Sequence, residues 1–302
     1  MLINFLIALL LLSPINSAYL SDNLFFDMAK TANAVVPVRI NPENIGVKVG
    51  ALRYAAIDAD SGKLLLQKDM SAPQPLASIT KLMTAMVILD QKPDWQKTVE
   101  LTRNDETVGA YPHIYRGEQV KFIDLWKNAL IASDNNSILA MVRILGYSTD
   151  QFASLMNAKA QELQMYNSEF KDPTGLSANN VSTALDVSRL VYNAMKKNEI
   201  RESVLQSGYK FKILNNKKSR EIHNTDVLVS SFLNDKSYGY ELIGGKTGYL
   251  PEAGYCLAAS IKKDNRNVII VVLDSGAIAD RFQDVKVIAD WVFSNYQWEK
   301  GK

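Results

Sequence analysis

A chain of 302 residues, 47% hydrophobic and 22% charged, has ordinary globular composition and can hold one large domain or two small ones. Thirty-four Lys and Arg against 32 Asp and Glu leave a net charge of +2, so nothing marks a nucleic-acid surface or a polybasic membrane surface. The one cysteine, Cys256, excludes an intrachain disulfide and reads as a small buried hydrophobe, while His113 and His223 have no ligand pattern around them and no metal site is expected.

Met1 to Ala18 carries an apolar run, Phe5 to Leu12, then Pro14 and the small residues Ser17 and Ala18. That pattern resembles a secretory signal peptide, too short to span a bilayer comfortably, although its first residues lack Lys and Arg. Residues 19–48 read as a loosely ordered leader with a little helix around Leu24 to Ala34. Residues 51–70 alternate around Asp60-Ser-Gly62 and predict a hairpin. An extended stretch, Pro73-Gln-Pro75-Leu-Ala, precedes Ser78, and a helical run follows from Ile79 to Asp90. Residues 79–198 read as mostly helical, with segments Lys121 to Ala132, Ser137 to Leu145, Gln151 to Met165, and Thr183 to Lys197 capped by Ser182. Met83, Met86, Trp126 and Met156 fall on apolar helix faces and are expected in the core. Residues 208–274 are strand-rich, with a second hairpin, Leu257 to Lys262 and Asn267 to Leu273, around Asp264-Asn-Arg. Ala277 to Tyr296 returns to helix. Strands at both ends with helices between them predict an α+β fold.

Three short motifs stand in order: Ser78-Ile-Thr-Lys81, Ser133-Asp-Asn135 and Lys246-Thr-Gly248. Singly they are weak. Ser-x-x-Lys recurs at Ser168, Ser207 and Ser260, and Ser-x-Asn at Ser21 and Ser177; their order and context carry the weight. Ser78 is expected at a helix N-terminus, with Lys81 one turn on along the same face. A serine hydroxyl needs a neighbour to take its proton, and a lysine amine can do so once burial and nearby positive charge hold it neutral. Standing alone, such a pair is an ordinary N-cap beside a solvated lysine. Ser133-Asp-Asn135 falls in an interhelical turn, where it could face a cleft or simply cap a helix. Lys246-Thr-Gly248 reads as a strand whose glycines let a ligand backbone approach, or as an exposed edge with a solvated lysine.

Together the three motifs are the signature of penicillin-recognising serine enzymes, and the chain resembles a low-molecular-mass penicillin-binding protein of the serine D-alanyl-D-alanine carboxypeptidase/DD-endopeptidase family. The resemblance extends to Pro75-Leu-Ala-Ser-Ile-Thr-Lys-Leu-Met-Thr-Ala-Met86, Asp172-Pro-Thr-Gly-Leu-Ser177, Asn180-Val-Ser-Thr-Ala184, His223-Asn-Thr-Asp226 and Ala253-Gly-Tyr-Cys-Leu257, and covers about residues 50 to 296. It implies a β-lactamase/transpeptidase-like fold: an antiparallel sheet flanked by terminal helices plus an all-helical region, with the site at their junction. It implies a DD-peptidase domain, expected over residues 49–302; family carboxypeptidases often add a C-terminal β domain, which is not expected here because only Gln297 to Lys302 follow the last predicted helix. It also implies peptidoglycan stem peptides and β-lactams as partners, no metal or organic cofactor, and no nucleic acid. With the signal segment removed, the mature protein is expected in the periplasm or otherwise outside the cytoplasmic membrane, without a stable membrane span.

By the same resemblance Ser78 is the acylated nucleophile and Lys81 its general base. Ser133 relays a proton, Asn135 holds the substrate amide, Lys246 and Thr247 meet the terminal carboxylate, and Gly248 belongs to the same substrate-binding set. The backbone N–H groups of Ser78 and Tyr249 form the oxyanion hole. Family carboxypeptidases often carry an arginine in the strand after Lys-Thr-Gly. Here Arg266 is near but the alignment favours Asn267, which weakens the carboxypeptidase assignment; the short architecture and the segment from Pro173-Thr-Gly-Leu-Ser177 to Asn180-Val-Ser-Thr-Ala184 resemble the subgroup acting as DD-endopeptidases on cross-linked peptidoglycan, and these residues leave exo and endo cleavage open. Two rivals are a secreted β-lactamase, which needs a water-activating glutamate for which Glu162 and Glu169 are the candidates, and a non-catalytic penicillin sensor.

Overall fold

The computed structural model describes residues 34–107 and 112–298. The expected signal segment 1–18, and the leader with its helix up to residue 33, lie outside the described residues.

β1 (Val38–Arg39) is followed by the expected hairpin, β2 (Arg53–Asp58) and β3 (Leu64–Lys68). β4 (Gln74–Pro75) leads into one 3-10 turn, Ala77–Ile79, and then helix α1 (Thr80–Asp90). β5 (Thr98–Glu100) and β6 (Gln119–Lys121) pair with each other ahead of α2 (Phe122–Ile131), α3 (Asn135–Ile144) and α4 (Thr149–Glu162). β7 (Val181–Ser182) pairs with β4 and precedes α5 (Ala184–Met195) and α6 (Asn198–Val204). β8 (Gly208–Lys212) and β9 (Ser219–His223) form a separate hairpin. β10 (Tyr240–Leu250), β11 (Gly254–Lys263), β12 (Arg266–Ser275), α7 (Asp280–Asn295) and β13 (Tyr296–Gln297) complete the order, with β13 pairing back to β1.

The stretch 79–198 is less helical than its pattern predicts. β5 and β6 interrupt it, and residues 163–180 form a loop clasped by side-chain hydrogen bonds around Pro173 and Gly175. The cap of α5 is Thr183, whose hydroxyl accepts from the Asp186 N–H at 3.1 Å. Ser182 does not cap; its hydroxyl meets that of Ser168 at 2.7 Å.

The main sheet is fully antiparallel, in the order β10-β11-β12-β2-β3. Alternation along its strands sorts side chains to two faces. Ala55, Ile57, Ile269, Val271, Cys256 and Ala258 point into a core shared with α1 to α6. Tyr54, Ala56, Val268, Ile270, Leu257 and Ala259 point the other way, against α7. Both faces are buried, so the central strands read as near-continuous apolar runs. Met83, Met86, Trp126 and Met156 are all buried in the helical-side core, and burial pushes the Cys256 thiol up to about 12. The tight turn between β11 and β12 is Asp264-Asn265, both at positive φ, 49° and 63°.

One irregularity decides where the site can form. The pairing of β10 with β11 shifts register between Leu242 and Gly244. A one-residue bulge exchanges the faces of everything beyond it. Leu242 packs on the α7 side, yet Lys246 pairs with Ala258 and Gly248 with Cys256, both on the helical side. The bulge therefore turns Lys246 toward the helices.

Candidate active site

Ser78 lies inside the 3-10 turn, not at an N-cap, and no side-chain cap hydrogen bond forms there. Its predecessor Ala77 has φ 48°, a left-handed conformation that a non-glycine residue holds only under constraint. The constraint comes from two backbones. A Cβ on Gly248 of β10 would sit 2.6 Å from Leu76 O and 3.2 Å from Ser78 N. One on Gly175 would sit 2.1 Å from Ala77 O, and Gly175 also has φ 88°. The glycine of Lys-Thr-Gly thus admits the nucleophile segment of the protein itself, whereas the sequence suggested an approaching ligand.

Lys81 follows one turn later on α1, fully buried. Its Nζ lies 2.9 Å from Ser78 Oγ and donates to Asn135 Oδ1 at 2.6 Å and Thr174 O at 2.7 Å. Burial lowers the amine to about 7, against the opposing pull of Asp134 and Asp172. An amine poised there at hydrogen-bond distance from a serine hydroxyl has the geometry and the basicity of a general base.

The second motif divides its work. Asp134 caps α3, with Oδ1 accepting from the Ser137 N–H at 2.7 Å. Ser133 has φ 63°, a second left-handed non-glycine residue, and its hydroxyl accepts from Lys246 Nζ at 2.9 Å. Asn135, the first residue of α3, spends its carbonyl on Lys81. The capping reading and the cleft reading hold together, on alternate residues of one turn.

Lys246 is 1% exposed although β10 is an edge strand. Burial and the neighbouring Lys81 hold its amine well below the usual lysine range, with Asp226 opposing. Thr247 Oγ1 meets Thr225 Oγ1 at 2.8 Å. Tyr249 is 50% exposed at the mouth and stacks on Tyr255 with ring centroids 4.3 Å apart. Ser78, Lys81, Ser133, Asn135, Lys246 and Gly248 therefore meet between α1, the α2–α3 turn and β10, while Thr247 and Tyr249 follow on the same strand and contact Thr225 and Tyr255.

Sequence reading missed three groups at the site. The loop Asp172 to Ser177 supplies the Thr174 carbonyl to Lys81, and Asp172 holds that loop by accepting from Thr174 N–H at 2.6 Å, Gly175 N–H at 2.9 Å and Ser177 N–H at 2.8 Å. Asp226 lies buried behind β10. The cation that reaches the Lys-Thr-Gly strand is Arg281, in the first turn of α7, whose Nη1 donates to Gly248 O at 3.0 Å. Arg266 and Asn267 pair with Lys263 and Lys262 at the far end of the sheet, five and four rows along β11 from the partner of Lys246, because β12 runs back away from the site. The Asp-Pro-Thr-Gly segment was visible as a loop, but a backbone acceptor leaves no residue-type signal, and Arg281 sits in a helix start that carries no motif. The two candidate glutamates are elsewhere. Glu169 is an exposed residue paired with Lys171, and Glu162 an exposed residue paired with Lys159. Among the described residues no group of three or more His, Cys, Asp or Glu could hold a metal ion.

The family model for D-alanyl-D-alanine carboxypeptidase, peptidase family S11, matches residues 40–277, and the chain belongs to that family. It is 30% identical over 237 residues to a D-alanyl-D-alanine endopeptidase of Pseudomonas aeruginosa, covering 78% of this chain and 74% of the relative. To a D-alanyl-D-alanine endopeptidase of Haemophilus influenzae it is 32% identical over 226 residues, 74% of either chain. Among solved structures, the Streptomyces K15 DD-transpeptidase superposes with a TM-score of 0.75 at 26% identity, over 82% of this chain and 98% of that one. The α+β architecture is that of the penicillin-binding fold.

Proposed function

We propose that this member of the D-alanyl-D-alanine carboxypeptidase family is a serine DD-peptidase that cleaves D-alanyl peptide bonds of peptidoglycan stem peptides through an acyl-enzyme on Ser78. The observation that carries the reading is the contact of Lys81 Nζ with Ser78 Oγ at 2.9 Å by an amine that burial brings to about 7.

Neutral Lys81 takes the Ser78 hydroxyl proton as Oγ attacks the D-alanyl carbonyl carbon. The backbone N–H groups of Ser78 and Tyr249 hold the resulting oxyanion. Asn135 and Lys81 already share a hydrogen bond, so the substrate amide meets a side chain of fixed orientation. Lys246 and Thr247 hold the terminal carboxylate, and the Lys246–Ser133 contact at 2.9 Å gives a route for the proton to the departing amine. Collapse breaks the C–N bond, releases the protonated amine and leaves an ester on Ser78. Water then hydrolyses the ester. A β-lactam follows the same first step, but its ring-opened amine stays tethered and the ester persists.

The reading includes export: Met1 to Ala18 directs the chain across the cytoplasmic membrane, and residues 49–302 act there as one catalytic domain. No helix of the described residues is long and apolar enough to cross a membrane. An intact Met1 in a membrane fraction that resists high-salt washing would contradict the export step.

The central test is incubation of the purified protein with cross-linked muropeptides and, separately, with linear pentapeptides ending in D-Ala-D-Ala, with mass analysis of the products. Loss of one D-alanine marks carboxypeptidase action, and conversion of dimers to monomers marks endopeptidase action. Absence of both, with no penicillin adduct on Ser78, would overturn the proposal.

A further inference from the structure

The hairpin of β8 and β9 carries a concentrated charge that none of the roles above uses. Residues 208–223 hold four lysines, one arginine and one glutamate, a net charge of +4, where the whole chain carries +2. The rest of the chain is therefore net negative. Strand alternation sorts the charges. Phe211 and Ile222 are buried on the inner face, and the cation beside them, Arg220, is taken by Glu118, with Nη2 donating to Oε1 at 2.7 Å. Lys210 and Lys212 lie on the outer face, and Lys217 and Lys218 in the turn. All four are exposed, and none forms an ion pair among the described residues. The one acid on that outer face is Glu221, opposite Lys210.

The hairpin is braced along its length. Tyr209 Oη donates to Asp124 Oδ1 of α2 at 2.7 Å, and the Leu214 N–H to Gln119 O of β6 at 2.7 Å. Its root is the wall of the cleft: Thr225, two residues after β9, sets its hydroxyl 2.8 Å from that of Thr247. Five residues per strand, at about 3.4 Å each, carry the turn roughly 17 Å from that root. Lysines on an exposed edge also keep a strand from pairing with other chains. That accounts for Lys210 and Lys212, but not for Lys217 and Lys218, which lie in a turn and guard no edge. A bilayer surface would take apolar side chains along with the charges. Here Leu214 is the one large apolar residue exposed on the hairpin, beside Asn215, Asn216 and Ser219. Such a patch suits a hydrated polyanion.

Resting on the function proposed above, we propose that the β8–β9 hairpin is a docking arm for the peptidoglycan polymer, its lysines meeting carboxylates of stem peptides beyond the one in the cleft. A polymer offers such groups in number, because every stem peptide that still ends in D-alanine displays a carboxylate. A single exposed ion pair contributes little, but four like charges on a braced arm raise the local concentration of an anionic polymer. The hairpin acts on how often a stem reaches Ser78, not on the chemistry there.

The test is sedimentation of the full chain with insoluble peptidoglycan freed of phosphodiester polymers, in a Ser78→Ala background so that the polymer stays whole. Changing Lys210, Lys212, Lys217 and Lys218 together to glutamate keeps the strand edges charged and inverts the patch. It is expected to weaken binding by about tenfold or more at low salt. Near 1 M salt, where the Debye length is about 3 Å, the two proteins should bind alike. With Ser78 in place, the four substitutions should raise KM for cross-linked peptidoglycan and leave kcat, and the rate of Ser78 acylation by benzylpenicillin, within about twofold. Amidating the carboxylates of the polymer should remove the difference between the two proteins. Equal binding at low salt, a difference that survives 1 M salt or amidation, or capture by phosphatidylglycerol vesicles of a protein that peptidoglycan does not hold, each overturns the docking arm. If the fourfold variant no longer reacts with benzylpenicillin, Lys217→Glu with Lys218→Glu in the turn decides by the same readouts. A wild-type chain that benzylpenicillin fails to acylate would instead overturn the proposed function, whatever the hairpin binds.

Discussion

Replacing Lys81 by methionine tests whether the base is held neutral by burial, and it does so without a substrate. The amine goes from 10.5 to about 7 on folding. That difference of roughly 3.5 units corresponds to about 5 kcal/mol favouring the neutral form, at about 1.4 kcal/mol per unit. The sign follows from proton counting. Between pH 7 and 10.5 the unfolded chain carries a proton on Lys81 that the folded chain does not, so wild-type stability rises with pH by about 1.4 kcal/mol per unit. Methionine removes this slope. It also removes the hydrogen bonds between Nζ and Ser78 Oγ, Asn135 Oδ1 and Thr174 O, where the neutral amine has two N–H groups for the two carbonyl oxygens and a lone pair for the Ser78 hydroxyl, a cost present at both pH values. Urea unfolding of both proteins at pH 7 and pH 9 should therefore show the difference between them moving by about 2 kcal/mol in favour of wild type at the higher pH. Parallel stabilities at the two pH values would refute a depressed Lys81. In the same pair, acylation should fall by about 10²–10⁴ in the variant, and in wild type should rise with pH through about 7.

Ser78→Ala should abolish penicillin labelling and peptidase activity while leaving the circular dichroism spectrum unchanged; labelling that persists at another serine would move the nucleophile. Gly175→Ala forces a Cβ to within 2.1 Å of Ala77 O at φ 88°, so it should lower the melting temperature by several degrees and reduce acylation by more than about tenfold; a variant unchanged in both would show that the loop does not hold Ala77. Benzylpenicillin should leave Ser78 slowly, over minutes or longer, and Glu169→Gln should not alter that rate, since Glu169 is exposed and paired with Lys171. Several turnovers per second, lost in Glu169→Gln while acylation survives, would make β-lactamase the better reading.

The candidate site was legible because it is built of side chains: Ser78, Lys81, Ser133, Asn135 and Lys246 stand in three motifs whose order and context together carry the signal. The fold class was legible from periodicity, since β2, β3, β11, β12 and α7 all lie within a few residues of their expected bounds. What escaped was carried by backbone and by distance. The Thr174 carbonyl that holds Lys81 is present at every residue of every chain. The bulge at β10 that turns Lys246 toward the helices depends on pairing with β11, not on local pattern. Arg281 was not weighed, because the arginine was sought near the Lys-Thr-Gly motif along the chain, at Arg266 or Asn267, and β12 carries both to the opposite end of the sheet. Thr183 displaced Ser182 as a cap by one position, within the usual fraying of helix ends.

Asp172 occupies the stretch in which a water-activating carboxylate would be sought, and it faces Lys81 closely enough to act on its charge. Yet both its oxygens are occupied: Oδ1 by the N–H groups of Thr174 and Gly175, Oδ2 by that of Ser177. Freeing either oxygen for a water would unfasten the segment that supplies Lys81 with a carbonyl acceptor and presses Gly175 against Ala77. Under the proposed function, an Asp172 turned to hold a hydrolytic water would give up part of that loop, so efficient β-lactam hydrolysis is not expected from this carboxylate. The carboxylate at hand is committed to folding, and a new one would have to enter a loop that is already full. Mutants selected under penicillin should instead change how readily Ser78 is acylated, through the walls of the cleft, before they learn to empty it.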